Sequence, residues 1–473
     1  MSFCKSARLL PQRFGLVLSS FLQKPGLAFA DALPEEKIQA AFEDEGAAFA
    51  QEEDDVYTAP LTLWAFLSQV LFKEEQRSCV AAVSRVVVLM IALGRDISDN
   101  TGAYCRARAK LPEVVIRRLT LDVADGCERS VAEHWLWHGR HVHLVDGTTV
   151  SMPDTEANQA AYPQPEAQPP GLGFPIARMV VLLSLATAMV SGMAIGPYAG
   201  KETGETALLR QLLDRLGPGD ILLADRYYCS YFLIALLLVL RVDFVVRLHQ
   251  RRDVDFRRGR RLGTGDHLVR WNRPAKPDWM DQETYDRMPE SIELREIEVH
   301  VDQPGFRTES LVVVTTLTDA EAYTKADLAE LYHRRWLVEL DIRAIKVTLG
   351  MDVLRCKTPE MVRKEIWTCL LAYNLIRRSM LQAADSSGRS PRQLSFTAAM
   401  QKIAAGWITV LFFDEATGTL LIDAHLSDLT GHQVGHRRNR VEPRAIKRRP
   451  KPHKLLTQPR HAARQALRAG QAD

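Results

Sequence analysis

Residues 331–346 read LYHRRWLVELDIRAIK, and their spacing is the most informative feature of the chain. Tyr332, Arg335, Glu339 and Lys346 follow one another at intervals of three, four and seven residues. On a regular helix, which advances about 100° per residue, these steps place the four side chains within a stripe about 60° wide. Two cations and a phenol therefore surround one carboxylate. This arrangement suits a site that holds a metal ion and binds phosphates, although a solvated, salt-bridged helix face has the same spacing.

Two further acids follow predicted strands earlier in the chain. The apolar segment 141–145 precedes Asp146 and Gly147, and the apolar segment 221–224 precedes Asp225. Ligands of open α/β sheets bind at the carboxyl ends of strands, so both aspartates are expected at one edge of the sheet. Carboxylates are preferred ligands of hard cations such as Mg²⁺. A simple Asp-Gly turn after the strand is the structural alternative for Asp146.

The middle of the chain predicts a mixed sheet. Short apolar runs are bounded by turns, and helical segments separate the later runs. Helices are predicted near 204–216 and 231–240, and strands at 141–145, 179–185, 188–195, 221–224 and 244–248. Three successive strands followed by alternating helices and strands are typical of a mixed sheet with helices packed on it. The predicted fold class is therefore α/β.

Residues 250–320 interrupt this alternation. Six arginines crowd into the first part of the segment, and Trp271 and Trp279 follow them. Strands are predicted near 293–301 and 309–317, after which helical spacing returns. We therefore interpret 250–320 as a strand-rich, basic insertion that forms its own subdomain.

Composition and charge limit the classes of protein to which this chain can belong. With 473 residues, 46% of them hydrophobic, the chain can bury a large core in about two to four domains. The net charge of +3 indicates no partner by itself. However, twelve Lys or Arg accompany one acid, Glu442, between Arg437 and Arg468, in a segment broken by four prolines. Such a segment is typical of an extended basic tail, which either solubilises the protein or binds a polyanion.

Neither secretion nor membrane insertion is indicated by the sequence. The seven cysteines are scattered without a C-x-x-C pair, which fits a reducing compartment and predicts no zinc site. The apolar stretch at 14–22 is about nine residues long, so we interpret it as an amphipathic helix rather than a signal peptide. The longest later run, at 231–240, is about half the length of a membrane span. We therefore expect a soluble protein.

The three acids together resemble the signature of a known family. The chain resembles a DDE transposase of the bacterial insertion-sequence family four. That family's first Asp lies in a D-G/A-T/S context, matched by residues 145–149, and its second lies in an L-x-D-R-x-Y/F context, matched by residues 223–228. Its third acid lies in Y-x2-R-x3-E-x6-K, which residues 332–346 match without gaps. The resemblance covers roughly residues 60–450.

The resemblance implies an RNase H-like catalytic core, in which a mixed sheet is flanked by helices. It implies that Asp146, Asp225 and Glu339 hold two Mg²⁺ or Mn²⁺ ions. The implied activity is the cutting and rejoining of insertion-sequence ends by two-metal-ion phosphodiester hydrolysis and transesterification. Family resemblance also implies that flanking DNA is released through a hairpin on the transposon end.

Phosphate binding and base stacking are assigned by the same resemblance. Contacts to DNA phosphates are implied for Tyr332, Arg335 and Lys346, and also for Arg226, which is equally consistent with a salt bridge. The hairpin route requires a flipped base that stacks on a tryptophan of the insertion. Trp271 is preferred over Trp279 because cations flank it in the sequence. Either ring is equally consistent with a cap on a hydrophobic cluster.

The implied organisation has five parts. A helical DNA-binding region spans 1–135, and the RNase H-like core spans 136–249 and 321–390, on either side of the insertion. The C-terminal region with its basic tail spans 391–473. The implied partners are double-stranded DNA, as terminal inverted repeats and as target, and a second copy of the chain in a homodimer. We expect a bacterial cytoplasmic location, on the nucleoid when DNA is bound.

Two other classes compete with this interpretation. His141-x-His143 resembles the first metal pair of barrel-type hydrolases, but the required eightfold alternation of strands and helices is not present in the sequence. A catalytically inactive or domesticated transposase-derived DNA-binding protein would use the same basic segments. The three acids argue against it, because a protein that only binds DNA gains nothing from carboxylates that face phosphates.

Overall fold

The computed structural model describes residues 35–47, 49, 55–92, 94–300, 310–406, 420, 424, 426–434 and 455–469. The chain divides into two compact units. Among the described residues, a helical unit takes its members from 35–139, 183–192 and 339–434, and a sheet unit takes its members from 140–182, 193–338 and 455–469. The helix predicted at 14–22 and most of the predicted basic tail, up to 454, lie outside the described residues.

Nine strands in the described part of the chain form one sheet. They are β1 (Val142–Ser151), β2 (Ile176–Ser184), β3 (Val190–Pro197), β4 (Ile221–Ala224), β5 (Asp243–Arg247), β6 (Arg260–Gly263), β7 (Asp266–Asn272), β8 (Ser291–His300) and β9 (Ser310–Thr315). The helices before β4 are α1 (Glu35–Asp44), α2 (Ala59–Leu71), α3 (Cys79–Ala92), α4 (Thr101–Lys110), α5 (Glu113–Arg129), α6 (Glu156–Ala161) and α7 (Glu205–Arg210). The later helices are α8 (Tyr231–Val239), α9 (Gln282–Arg287), α10 (Lys325–Arg334), α11 (Leu337–Arg343), α12 (Pro359–Ser387), α13 (Phe396–Gly406) and α14 (Arg460–Arg468).

The centre of the sheet is parallel. The strand order is β3-β2-β1-β4-β5-β9-β8-β7-β6, and β4 pairs in parallel with β1 and with β5. The crossover from β4 to β5 contains α8, whose apolar residues join Leu222 and Phe244 in one hydrophobic core. The order β3-β2-β1-β4-β5 with its parallel centre is that of an RNase H-like core. The predicted mixed α/β fold is therefore confirmed.

The first strand extends further than the sequence predicts. We expected it to end before Asp146 and Gly147, but β1 continues through both residues to Ser151. The β-branched residues 148–150 favour an extended backbone and override the turn tendency of Asp-Gly. Asp146 therefore lies within a strand, which makes the simple turn interpretation wrong.

The strands of the predicted insertion continue the same sheet. β9 pairs antiparallel with β5 and with β8, so Thr315 lies opposite both Val245 and Arg295. β8 pairs with β7, and β7 pairs with β6. The strands predicted near 293–301 and 309–317 correspond to β8 and β9, whereas β6, β7 and α9 have no counterpart in the prediction. The described residues of this region belong to the sheet unit, and a separate subdomain at 250–320 stays a prediction.

The helix predicted to carry the third acid is interrupted twice. Residues 335–336 form a turn between α10 and α11, where Arg335 N–H donates to the Tyr332 carbonyl in a tighter i→i−3 bond. A π-helical segment, Ala344–Thr348, follows α11. Since a π-helix bonds i→i+5 and turns more slowly than an α-helix, the prediction of one narrow stripe from Tyr332 to Lys346 is wrong.

The long helix α12 runs through the helical unit. The Thr358 side chain caps its first turn, and it ends at Gly388, whose φ of +64° is the left-handed conformation that favours glycine. α12 packs against α5 and α2. Its buried Arg377 lies 2.8 Å from one oxygen of Asp341, and Arg392 lies 2.9 Å from the other. Among the described residues, no helix is long and apolar enough to span a bilayer.

A buried ion pair joins β7 and β8, and its loss should destabilise the sheet unit. Arg295, 1% exposed, donates to both carboxylate oxygens of Asp266 at 2.8 and 2.6 Å. Replacing Arg295 with Ala leaves the Asp266 carboxylate buried without this partner, so we expect the unfolding free energy to fall by about 3–5 kcal/mol. Urea denaturation followed by tryptophan fluorescence measures this change.

The control is Arg257→Ala. Arg257 donates to Asp255 at 2.7 Å in a comparable pair, but its side chain is 89% exposed. We expect little change in stability from this variant, because water already solvates both groups. An Arg295→Ala protein as stable as Arg257→Ala would contradict the role given to the buried pair.

Candidate active site

Asp146 lies on β1, and Asp225 directly follows β4, the strand that pairs with β1 in parallel. In the pairing of β1 with β4, Leu144 lies opposite Leu223. Extending this register by two residues places Asp146 opposite Asp225, and paired strands lie about 4.8 Å apart. Both aspartates are half-buried. The structure thus brings the first two predicted acids together.

Each aspartate is oriented by a backbone N–H. Asp146 Oδ1 accepts the Gly147 N–H at 2.8 Å, and Asp225 Oδ1 accepts the Tyr227 N–H at 2.8 Å. Asp225 is the N-cap of a 3₁₀ turn, Arg226–Tyr228, that begins where β4 ends. An aspartate directly after a strand favours such a turn, because its side chain replaces a backbone acceptor.

The environment of Asp146 disfavours its negative charge. Burial raises the pKa of Asp146 to about 6, from an ordinary value of 3.8. The Gly147 N–H and the guanidinium of Arg335 oppose this rise, whereas the carboxylates of Asp225 and Glu205 add to it. A half-buried carboxylate beside two like charges is the arrangement that a bound cation relieves.

Glu205 is a member of this group that the sequence analysis did not find. It is the first residue of α7, and the hydroxyl of Tyr228 donates to its Oε2 at 3.3 Å. Burial raises the pKa of Glu205, and the nearby Asp225 carboxylate adds to the rise. The one available signal was Gly147, since a glycine beside a functional acid often marks the close approach of another group.

Two of the four signature residues of 332–346 lie in this site. Tyr332 is 8% exposed, and burial raises its pKa to about 12, so the phenol is neutral at physiological pH. Arg335, at the end of α10, and Arg247 oppose that rise, and Asp225 adds to it. Tyr332 and Arg335 thus lie within electrostatic range of the two aspartates.

The other two signature residues belong to the helical unit. Glu339 is exposed on α11, and Lys346 is half-buried in the π-helical segment. In the described residues, no group of three or more His, Cys, Asp or Glu side chains is arranged to hold a metal ion. The gathering of Asp146, Asp225 and Glu339 around ions therefore stays a prediction.

The two candidate tryptophans differ in exposure. Trp271 on β7 is 7% exposed, its Nε1–H donates to Glu296 at 3.1 Å, and the guanidinium of Arg252 lies 3.7 Å from its ring centre. Trp279 is half-buried and edge-on to Phe232, with Arg210 lying 3.8 Å from its ring centre. An arginine lies over each ring, and Trp271 is the more buried of the two, so the structure does not favour Trp271 over Trp279.

Two further basic elements are exposed. Arg226 projects from the 3₁₀ turn beside Asp225. Within the predicted extended tail, residues 460–468 form α14, whose side chains are largely exposed. The expectation of an extended conformation is therefore wrong for this segment, because its alanines, leucine and glutamine favour a helix.

The site fits a hard divalent cation. Its donors are carboxylate oxygens, which Mg²⁺ and Mn²⁺ prefer over nitrogen or sulfur. Asp146 and Asp225 lie side by side, and Glu205 adds a further negative charge. Divalent-ion binding is therefore consistent with both the chemistry and the charge of the site.

Comparisons with known proteins identify the family. The family described as "Transposase DDE domain" matches residues 137–375, just over half of the chain. The transposase InsG for insertion sequence element IS4, from Escherichia coli strain K12, is 26% identical over 443 residues, which cover 91% of this chain and 93% of that protein. The putative transposase InsL for insertion sequence element IS186A, from the same strain, is 34% identical over 80 residues, 17% of this chain and 21% of that protein.

One solved structure has a distant likeness. A piggyBac transposase synaptic complex with hairpin DNA aligns with 88% of this chain and 84% of its own, at a TM-score of 0.42 and 9% sequence identity. At that TM-score the likeness supports no conclusion about this chain. The family match, by contrast, supports a conclusion. The chain belongs to the DDE transposases of insertion-sequence family four and is a DNA transposase that depends on divalent metal.

Proposed function

We propose that the chain cuts and rejoins the ends of its insertion sequence at a site formed by Asp146, Asp225 and Glu339, with two Mg²⁺ or Mn²⁺ ions. The observation that carries the proposal is the parallel pairing of β1 with β4, since Asp146 and Asp225 each lie two residues beyond its last pair, Leu144 and Leu223. The raised pKa of Asp146 supports it, because a cation at this point offsets the burial of negative charge.

The bound ions would supply activation of the attacking oxygen and stabilisation of the leaving oxygen at phosphorus. The protein's part is to hold the carboxylates in place. Asp146 is fixed by β1 and Asp225 by the 3₁₀ turn after β4. Glu339 is the proposed third acid on the strength of the Y-x2-R-x3-E-x6-K match.

Four residues are proposed to bind DNA phosphates. Arg335 presents a planar fork, which suits two phosphate oxygens, and Lys346 provides a point charge. Tyr332 is neutral and buried, so its hydroxyl can donate a hydrogen bond without adding charge. Arg226 is exposed beside Asp225, where a phosphate bound at the acids comes within its reach.

The DNA pathway and assembly are part of the same proposal. The substrates are double-stranded terminal inverted repeats and target DNA, which a homodimer brings together in the bacterial cytoplasm. We also propose that the helices before residue 135 bind DNA, since Arg106 and Lys110 are exposed on α4. The flanking DNA is released through a hairpin whose flipped base stacks on Trp271 or Trp279.

The second candidate function is that of an inactive transposase relic. Removing the charge of single carboxylates distinguishes such a relic from an active enzyme. Asp146→Asn, Asp225→Asn and Glu339→Gln keep the side-chain size but lose the charge that holds an ion. We expect each variant to lose cleavage of the element's terminal DNA in Mg²⁺ by about 10³-fold or more, on the scale of other single active-site groups, while DNA binding changes little. Gel-resolved cleavage and fluorescence anisotropy measure the two properties.

The outcomes of this test are distinct. Wild-type cleavage that survives in one variant removes that residue from the site. A wild-type chain that binds terminal DNA but never cleaves it, in Mg²⁺ or Mn²⁺, supports the relic instead.

Replacing the stacking tryptophan should slow hairpin formation more than the first nick. Base stacking on an aromatic ring contributes about 1–3 kcal/mol, which corresponds to roughly 5- to 150-fold in rate. We expect this loss for Trp279→Ala or Trp271→Ala, measured as the hairpin rate divided by the nicking rate on the same DNA. This ratio corrects for the stability that Trp271→Ala loses as a buried residue. If both variants keep the wild-type ratio, neither ring stacks the flipped base.

Deleting residues 437–473 should flatten the salt dependence of DNA binding. The segment contains twelve Lys or Arg, and each phosphate contact contributes about 0.9 to the slope of log affinity against log salt. We expect a shallower slope in the truncated protein, measured by anisotropy between low and moderate salt. An unchanged slope would show that the tail does not contact DNA.

A further inference from the structure

We propose that a cavity within the helical unit binds a phosphate group, held between Arg108 and Arg355. The cavity has a volume of about 130 Å³, below the roughly 300–1,000 Å³ of pockets that enclose drug-sized ligands, so it suits a small group. Three arginines, Arg77, Arg108 and Arg355, line it together with the carboxylate of Glu365. All four residues belong to the helical unit and none to the proposed ion site, so the inference goes beyond the proposed function.

The carboxylate of Glu365 is compensated by Arg77. Both side chains are buried, and Arg77 Nη2 lies 3.3 Å from Glu365 Oε1. The backbone N–H groups of Arg355 and Cys356 each donate to Glu365 Oε2 at 2.9 Å. Burial raises the pKa of the Cys356 thiol, which is therefore neutral and adds no negative charge. The positive charges of Arg108 and Arg355 are thus left without a carboxylate in the lining of the cavity.

Arg108 has one nitrogen that no acceptor reaches. Its Nη1 donates to the amide oxygen of Gln69 at 2.9 Å, and its guanidinium lies 5.0 Å from the ring centre of Phe66. Its Nε is buried and has no hydrogen-bond partner in the described part of the chain. A buried donor without an acceptor costs free energy, and the cost is larger for a charged group. Because Arg108 lines the cavity, an anion bound there can supply an acceptor.

Arg355 marks the side of the cavity that is open to solvent. It is exposed, and its guanidinium has no hydrogen bond or ion pair within the described residues. Since Arg77 is buried and Arg355 is exposed, the cavity extends from the interior to the surface and a ligand can enter it. Ser78 and Cys79, where the 14-residue helix α3 begins, also line the cavity, so the positive end of that helix lies at the same place.

These donors match a phosphate group better than a carboxylate. A carboxylate has two oxygens, which the fork of one guanidinium already occupies. A phosphate group has further oxygens for a second guanidinium and for the N–H groups at the start of α3. A free phosphate and a phosphate of the DNA backbone present the same oxygens to the cavity, and experiment separates these two sources.

The test is equilibrium dialysis of the full-length chain against radiolabelled inorganic phosphate at constant ionic strength. We expect the wild type to bind phosphate saturably. Arg355→Gln should weaken this binding by about ten-fold or more, the scale of one lost hydrogen bond to a charged group. The exposed side chain of Arg355 has no hydrogen bond within the described residues, so this variant keeps the described contacts of the fold.

Arg108→Gln should show the same loss of phosphate affinity. Because Arg108 also contacts Gln69 and Phe66, thermal unfolding is measured to show that this variant is folded. The matched control is Arg129→Gln, since Arg129 is likewise an exposed arginine of the helical unit but does not line the cavity. The control should bind phosphate as the wild type does.

Three results overturn the inference. The first is a wild-type chain that shows no saturable binding at millimolar phosphate. The second is wild-type affinity in Arg355→Gln or in a folded Arg108→Gln, and the third is an equal loss in Arg129→Gln.

The same dialysis with saturating duplex DNA identifies the source of the phosphate. DNA that displaces the bound phosphate supports the site and indicates a backbone phosphate as its occupant. Phosphate that stays bound with unchanged affinity supports the site and indicates a free phosphate-bearing molecule.

Discussion

The parallel pairing of β1 with β4 is the constraint on which the rest of the site depends. Asp146 lies on β1 and Asp225 directly follows β4, each two residues beyond the last paired residues, Leu144 and Leu223, so the pairing brings the two aspartates close together. A shift of one residue would turn one of the two carboxylates to the other face of the sheet. Helix α8 connects β4 to its other parallel neighbour, β5, and its apolar residues join those of β4 and β5 in one hydrophobic core. The same strands therefore contribute to the hydrophobic core and position the two aspartates.

The site is built at a cost to stability. Burial raises the pKa of Asp146 to about 6, above its ordinary value of 3.8. A carboxyl whose pKa is higher in the folded state destabilises the fold once it ionises, so the cost is absent below about pH 4 and complete above about pH 6. The shift corresponds to on the order of 3 kcal/mol without a bound cation. A divalent ion bound at the proposed site would offset this cost.

The sequence predicts the parts of this protein that local patterns determine. The strand at Ile221–Ala224 and the helix beginning at Tyr231 lie where apolar runs and turns place them. Asp-Gly at 146–147 is ambiguous locally, because it favours a turn, whereas the β-branched residues 148–150 that follow favour the observed strand. The π-helical segment was not predictable, since Lys346 fits an ideal helix equally well. Glu205 and the burial of Trp271 depend on contacts between residues distant in sequence, which a single sequence does not reveal.

The central claim is that the two aspartates share a divalent ion. Crystals of the full-length chain soaked in Mn²⁺ and measured for anomalous scattering would locate the ion directly. The account predicts an anomalous peak about 2.0–2.6 Å from a carboxylate oxygen of both Asp146 and Asp225. A crystal saturated with Mn²⁺ that shows peaks elsewhere, and none within that distance of both residues, would contradict it.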